Sequence, residues 1–185
     1  MQLLRGTLLP HNGGIVVIKS TFATLLLLGV VALLIFTMDI SDTRVLVRHG
    51  NMQKEPLEIV LDQYLCSESR LPIKELFNSA QAVLPNGDTY FFNDIGNVLL
   101  WLERQKNQEK IVVWVYAQDT NHYILAKNAW YSRVEITPMG YGFGAYEYRL
   151  YRQSDYYFKE VQLFALRGET LLNPFINELL INNKI

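Results

Sequence analysis

The chain has 185 residues, half of them apolar and 12% aromatic, with 17 Lys and Arg against 18 Asp and Glu and a formal net charge of −1. That balance leaves no basic surplus, so nucleic acid is not an expected partner. A single cysteine, Cys66, excludes an internal disulfide and, by count, a zinc site built from paired cysteines.

Residues 21–38 carry no charged side chain and centre on Leu25-Leu26-Leu27-Leu28-Gly29-Val30-Val31-Ala32-Leu33-Leu34-Ile35-Phe36. As a helix rising ~1.5 Å per residue, these 18 positions span ~27 Å, against ~30 Å for the hydrocarbon core of a bilayer. A helix apolar on every face needs more protein around it than the rest of this chain supplies, so a transmembrane anchor is expected. Arg5 and Lys19 precede the run, while Asp39 and Asp42 follow it. Cationic flanks stay in the cytoplasm, which leaves residues 1–20 inside and the C-terminal part outside. No small-x-small cleavage site lies in Ile35-Phe36-Thr37-Met38-Asp39, so the anchor is expected to stay uncleaved.

Residues 39–55 read as a polar linker carrying His49 and Met52, and residues 56–185 as one domain. Within it, residues 57–66 read as a strand, with Ile59-Val60-Leu61 at its centre and Pro56 at its start. A loop at 67–69 and a short helical or irregular stretch at 71–77 follow. Two short apolar runs, 80–84 and 88–92, flank Pro85-Asn86-Gly87, and Asn-Gly supplies the positive φ angles of a tight hairpin. Asn93-Asp94 offers a helix N-cap, and Ile95, Val98, Leu99 and Leu102 keep the spacing of one helical face. Polar residues 107–110 end that helix. A strong strand is expected at 111–117, a turn at 119–121, a partner strand at 122–125, one helical turn at 128–131 and a further strand at 133–137. Strand, turn, strand, helix, strand thus occurs twice. Three glycines and a proline in Pro138-Met139-Gly140-Tyr141-Gly142-Phe143-Gly144 predict a loop with unusual backbone angles, without the lysine of a phosphate-binding loop. Residues 158–166 read as a helix stopped by Gly168, and Asn173-Pro174 starts a last helix ending near Ile181.

The chemistry available is narrow. Beyond the expected anchor there are two histidines, His49 and His122, and no Gly-x-Ser-x-Gly elbow, so no catalytic triad is expected. Cys66 with His122 is a conceivable nucleophile–base pair that no spacing favours. The carboxylates are scattered, with no acidic loop for calcium. The soft donors are Cys66, Met52 and Met139, and thiolate with thioether is the donor set that selects Cu(I). Met139, between Pro138 and Gly140, sits on a constrained loop.

Several segments taken together resemble the NosL family, the accessory proteins of nitrous oxide reductase. They are Ala80-Gln81, Gly87-Asp88-Thr89-Tyr90-Phe91-Phe92-Asn93-Asp94-Ile95, Trp114-Val115-Tyr116 with Ala126 and Ala129-Trp130-Tyr131, and Thr137-Pro138-Met139-Gly140-Tyr141-Gly142-Phe143-Gly144-Ala145. The resemblance implies an α+β domain of two related ββαβ units with an antiparallel or mixed sheet, here preceded by one transmembrane helix in place of the family's usual lipid anchor. It implies a periplasmic domain on the cytoplasmic (inner) membrane. Its activity would be Cu(I) binding and copper delivery to the copper-sulfide centre of nitrous oxide reductase, with that enzyme and its assembly machinery as partners and no enzymatic reaction of its own. The family's ligands are a Cys-x-Met motif and the methionine of Pro-Met-Gly. Cys66 and Met139 match the cysteine and the second methionine. Glu68 stands where the first methionine belongs, and Gln63 stands where an earlier family cysteine belongs. Glu68, His122 or a partner group would complete the coordination. The alternative is a metal-free, membrane-tethered assembly module of the same fold.

Overall fold

The computed structural model describes residues 23–33, 44–182 and 184. The chain divides into two units after Asp42. In the first, residues 23–33 are helical (α1) and exposed throughout. These 11 residues rise ~16 Å, about half of a bilayer core. Among the described residues, no helix is long and apolar enough to cross a membrane. The two ends of the expected span, residues 21–22 and 34–38, lie outside the described residues, as do the expected N-terminal segment 1–20 and residues 39–43 of the expected linker.

The second unit is α+β, built on a mixed seven-stranded sheet. Its strands are β1 (Val47–Arg48), β2 (Ala80–Val83), β3 (Thr89–Phe92), β4 (Val112–Ala117), β5 (His122–Leu125), β6 (Trp130–Ser132) and β7 (Gly144–Tyr146). The order is β1-β3-β2-β4-β7-β6, with β5 pairing β4 off that path. All pairings are antiparallel except the single parallel contact Ala117↔Ala145 between β4 and β7. Three helices complete the unit: α2 (Ile95–Glu103), α3 (Phe158–Leu166) and α4 (Pro174–Ile181).

The β2–β3 hairpin turns where expected, and Gly87 adopts φ +84° to close it. Along β3 the two neighbouring phenylalanines point to opposite faces and both are fully buried. Phe92 joins the main core with Val98, Leu99, Trp101 and Val115 against α2. Phe91 joins a second, smaller core with Ile59, Tyr64 and Ile73, meeting the Tyr64 ring edge-on at 4.7 Å. The sheet is therefore covered on one face by helices and on the other by the irregular segment 57–76.

That segment corrects one expectation. Residues 57–66 form no strand. Asp62 turns the chain with φ +63°, and the only ladder contacts are the isolated bridges Val45↔Tyr64 and Leu65↔Pro72. A buried side chain does the work of a neighbouring strand: Gln81 Oε1 accepts from Leu57 N (2.8 Å) and its Nε2 donates to Leu57 O (2.7 Å). The polar linker is a second correction. Val47 and Arg48 pair with Tyr90 and Thr89 of β3. Asn51 N donates to Gly87 O (2.9 Å), and Trp114 Nε1 donates to Lys54 O (2.8 Å). Residues 44–55 are part of the domain. Third, the strand expected at 133–137 lies at Trp130–Ser132, after a 3₁₀ turn at Ala126–Asn128. The chain leaves the sheet at Arg133, whose buried guanidinium stacks 3.7 Å from the Phe164 ring centroid and donates to Glu169 O. The helices at 158–166 and 174–181 stand as expected, the latter with Asn173 as N-cap and Pro174 in its first turn.

Candidate functional site

The site is organised by the first turn of α2. Asp94 is its N-cap, with Oδ1 accepting from Gly96 N at 2.8 Å. The same carboxylate reaches out of the helix: Oδ2 accepts the backbone N–H of Met139 at 2.9 Å, and the Thr137 side chain also hydrogen-bonds to it. Asp94 therefore clasps the 137–141 loop to the helix end. Burial raises its pKa above the ordinary carboxylate value, against the opposing effect of these hydrogen bonds.

The loop closes on itself as it docks. Gly140 N donates to Thr137 O (3.0 Å), and Gly142 N donates to Thr137 Oγ1 (3.3 Å). Tyr141 then lays its ring on Gly96, so closely that a Cβ there would stand 2.1 Å from the ring. Burial first, then the charges of Asp94, Glu68 and Cys66, push the Tyr141 phenol upward, while Arg104 opposes them. Tyr141 thus stands among all four groups.

Cys66 reaches this place by a tight turn. Its N–H donates to Leu71 O (2.8 Å), and Arg70, at φ +62°, returns an N–H to Cys66 O (2.9 Å). The next residue, Ser67, binds the open edge of β3: its N–H donates to Phe91 O (2.7 Å) and its Oγ accepts from Phe91 N (3.3 Å). The thiol is carried round that edge into the main core and is fully buried. Two donors converge on Sγ at 3.4 Å: Ser69 N and Asn97 Nδ2. Asn97 lies in the first turn of α2 and also donates to Asn93 Oδ1 (2.9 Å). Asn93 in turn lines a cavity of about 510 Å³ with Leu71, Pro72, Lys74, Glu75 and Pro138. Leu71 of the Cys66 turn and Pro138 of the Met139 loop both line this cavity.

The four predicted site residues have different fates. Cys66 and Met139 are hydrogen-bonded to the same helical turn, through Asn97 and Asp94. Glu68 is nearby but engaged by Arg104 at the C-cap of α2. His122 is not part of the group: exposed at the start of β5, it contacts Thr120 O (3.2 Å) and the Glu147 carboxylate (3.4 Å). Among the described residues, no three or more His, Cys, Asp or Glu side chains cluster to hold a metal. Sequence reasoning identified Asp94 as a helix cap, but not that its second oxygen holds the loop. Asn97 and Tyr141 carried no individual signal.

Removing the clasp has a measurable cost. Asp94→Ala deletes an N-cap, worth ~1 kcal/mol, and strands the inward-facing N–H of Gly96 and that of Met139, worth ~1–3 kcal/mol for each buried one. A loss of about 2 kcal/mol or more in urea unfolding is expected, with the Met139 amide losing its protection from hydrogen exchange. The pH dependence has a definite sign. Because the folded-state pKa is raised, the stability tied to Asp94 is fully present below the unfolded carboxylate value and is lost as pH rises through the folded pKa. Asp94→Asn, neutral throughout, removes that decline.

No family model matches this chain, and no curated protein does at a significant level.

Proposed function

We propose that the chain is a membrane-tethered Cu(I) chaperone of the NosL kind. It hands copper to nitrous oxide reductase and its assembly machinery for the copper-sulfide centre, from a domain on the outer side of the inner membrane. The supporting observation is the convergence of the two family-type soft donors on one helical turn: Asn97 holds Cys66 Sγ, and Asp94 holds the backbone of Met139. The succession β2-β3-α2-β4 supports one ββαβ unit, while the following β4-β5-3₁₀-β6 shares β4 with it and has a three-residue 3₁₀ turn in the helix position. The uncharged run at 21–38 supports the tether.

In this reading copper is the cargo. Cys66 supplies the thiolate and Met139 the thioether, a pairing suited to Cu(I) and poor for harder ions. The two N–H donors at Sγ orient the sulfur, which is fully buried. Glu68 is paired with Arg104 through one oxygen only, so a third donor comes from its other oxygen or from the receiving protein. A fully buried sulfur exchanges metal only if a neighbouring segment moves. In this reading the 137–141 loop, beside the cavity at Asn93 and Pro138, moves by releasing the bond from Met139 N to Asp94 Oδ2.

The test is a Cu(I) titration of the reduced full-length chain against a chromogenic chelator. The Cys66→Ala, Met139→Ala double variant should bind copper at least about a hundredfold more weakly, since even loss of outer-shell partners costs 10–100-fold. Retention of wild-type affinity would overturn the assignment. One observation favours the alternative of a metal-free assembly module: the residue in the place of the family's methionine is a carboxylate engaged by Arg104. A single tightly held Cu(I) lost on Cys66 substitution eliminates that alternative.

A further inference from the structure

The β2–β3 turn, at the other end of β3 from the α2 clasp, gathers a different set of donors. His49 is 78% exposed, and its Nδ1 lies 2.5 Å from Asp88 Oδ1. Asp88 is itself held from the other side, with Oδ2 accepting from Asn86 Nδ2 (2.8 Å). A carboxylate only accepts, so Nδ1 carries a proton, and in the neutral imidazole the lone pair is the one on Nε2. This is the arrangement by which proteins orient a ligating imidazole: one ring nitrogen bound to a carboxylate, the other left for the metal.

Met52 lies against the adjoining residue. Asn51 N donates to Gly87 O (2.9 Å), which sets the 49–52 segment along the turn. The Met52 sulfur stands 2.9 Å, and the Asn51 backbone N 3.1 Å, from where a Cβ on Gly87 would be, so the segment packs closely on the turn. A methionine filling a core gap is buried, whereas this one is 63% exposed. Two exposed side chains, the imidazole of His49 and the thioether-bearing chain of Met52, thus flank the same dipeptide, Gly87-Asp88.

We infer that His49 Nε2 and Met52 Sδ form a second metal site, an exposed one that takes a soft monovalent cation, Cu(I). Imidazole and thioether are both Cu(I) donors, and Cu(I) is satisfied by two or three ligands. Zinc requires four, and among the described residues none completes such a set. Asp88 is the orienting group, not a ligand, because both its oxygens are already engaged. The contrast with Cys66 is functional: the Cys66 sulfur is sealed in the core, while this pair is open to solvent and suited to rapid, weak capture. The site stands independently of any role for Cys66 and Met139.

The experiment uses the reduced full-length chain with Cu(I) as the only added metal. NMR of ¹³C-methyl methionine and ¹⁵N-histidine is read alongside stoichiometry. In the otherwise native chain, Cu(I) should shift the Met52 methyl and the Nε2 resonance of His49, leaving Nδ1 protonated. His49→Gln with Met52→Leu should abolish this binding event, and because both side chains are exposed, the fold is kept. Cys66→Ala with Met139→Ala should leave it intact. The inference is overturned if the Met52 methyl does not respond to Cu(I), if copper shifts Nδ1 instead, or if the double exchange at 49 and 52 leaves the stoichiometry unchanged. A failed Cys66–Met139 assignment shows separately, as full retention of copper at the other site in the Cys66→Ala, Met139→Ala variant.

Discussion

Gly142→Ala is expected to destabilise the domain by about 3 kcal/mol and to detach the Met139 loop. Gly142 has φ +90°, a region where an L side chain costs roughly 1–2 kcal/mol. Its new Cβ would lie 2.7 Å from the backbone oxygen of Arg133 and 2.6 Å from Leu171 Cγ. Leu171 has some freedom to turn away. The carbonyl has little, because Arg133 is buried and stacked on Phe164 and the chain beyond it is fixed by the bond from Glu135 N to Gly142 O (3.0 Å). Overpacking of this kind adds about 1–3 kcal/mol. The measurement is the urea midpoint, together with exchange protection of the Met139 amide, which should fall further than that of β4. Unchanged stability would show that the loop repositions without strain.

The second large effect is Phe92→Ala. Phe92 is fully buried between the sheet and α2, 5.3 Å from the Trp101 ring centroid. Truncation removes the ring's transfer energy and leaves a cavity, costing about 3–5 kcal/mol. Phe91→Ala, one residue earlier, empties the smaller core on the opposite face instead. The two variants should therefore unfold different layers first, with Phe92→Ala loosening α2 and Phe91→Ala loosening residues 57–76. Native-state hydrogen exchange separates them: protection lost in α2 in both variants would contradict the two-core description.

Much of the local structure was legible because it is local. Asn86-Gly87 announces its turn, the apolar spacing from Ile95 to Leu102 announces α2, and Asn173-Pro174 announces α4. The errors fall where distant residues decide. Ile59-Val60-Leu61 has the composition of a strand, but its polar backbone is answered at Leu57 by the Gln81 side chain rather than by a ladder. Nothing near residue 57 encodes that partner. The 44–55 stretch is polar enough to pass for a linker, yet Val47, Asn51 and Lys54 each find partners around the β2–β3 hairpin and β4. For the candidate site, soft-donor chemistry gave Cys66, Met52 and Met139, and the family resemblance narrowed these to Cys66 and Met139. Their common support was invisible, since it lies in an N-cap carboxylate and a helix asparagine whose second contacts cross the fold. Glu68 was noted as a departure from the family, but its pairing with Arg104 depends on the length of α2.

The open edge of β3 carries a consequence for self-association. A strand edge is a row of unpaired N–H and C=O groups that another chain can extend. Here two short pieces close it: Val47–Arg48 along the first half, and Ser67 at Phe91. Neither is long enough to be a template itself, so together they end the sheet. Shortening the chain to residue 56, as if 39–55 were a dispensable spacer, strips half of that cover and bares an aromatic edge around Tyr90. Residues 44–55 are then also the domain's guard against strand-to-strand aggregation.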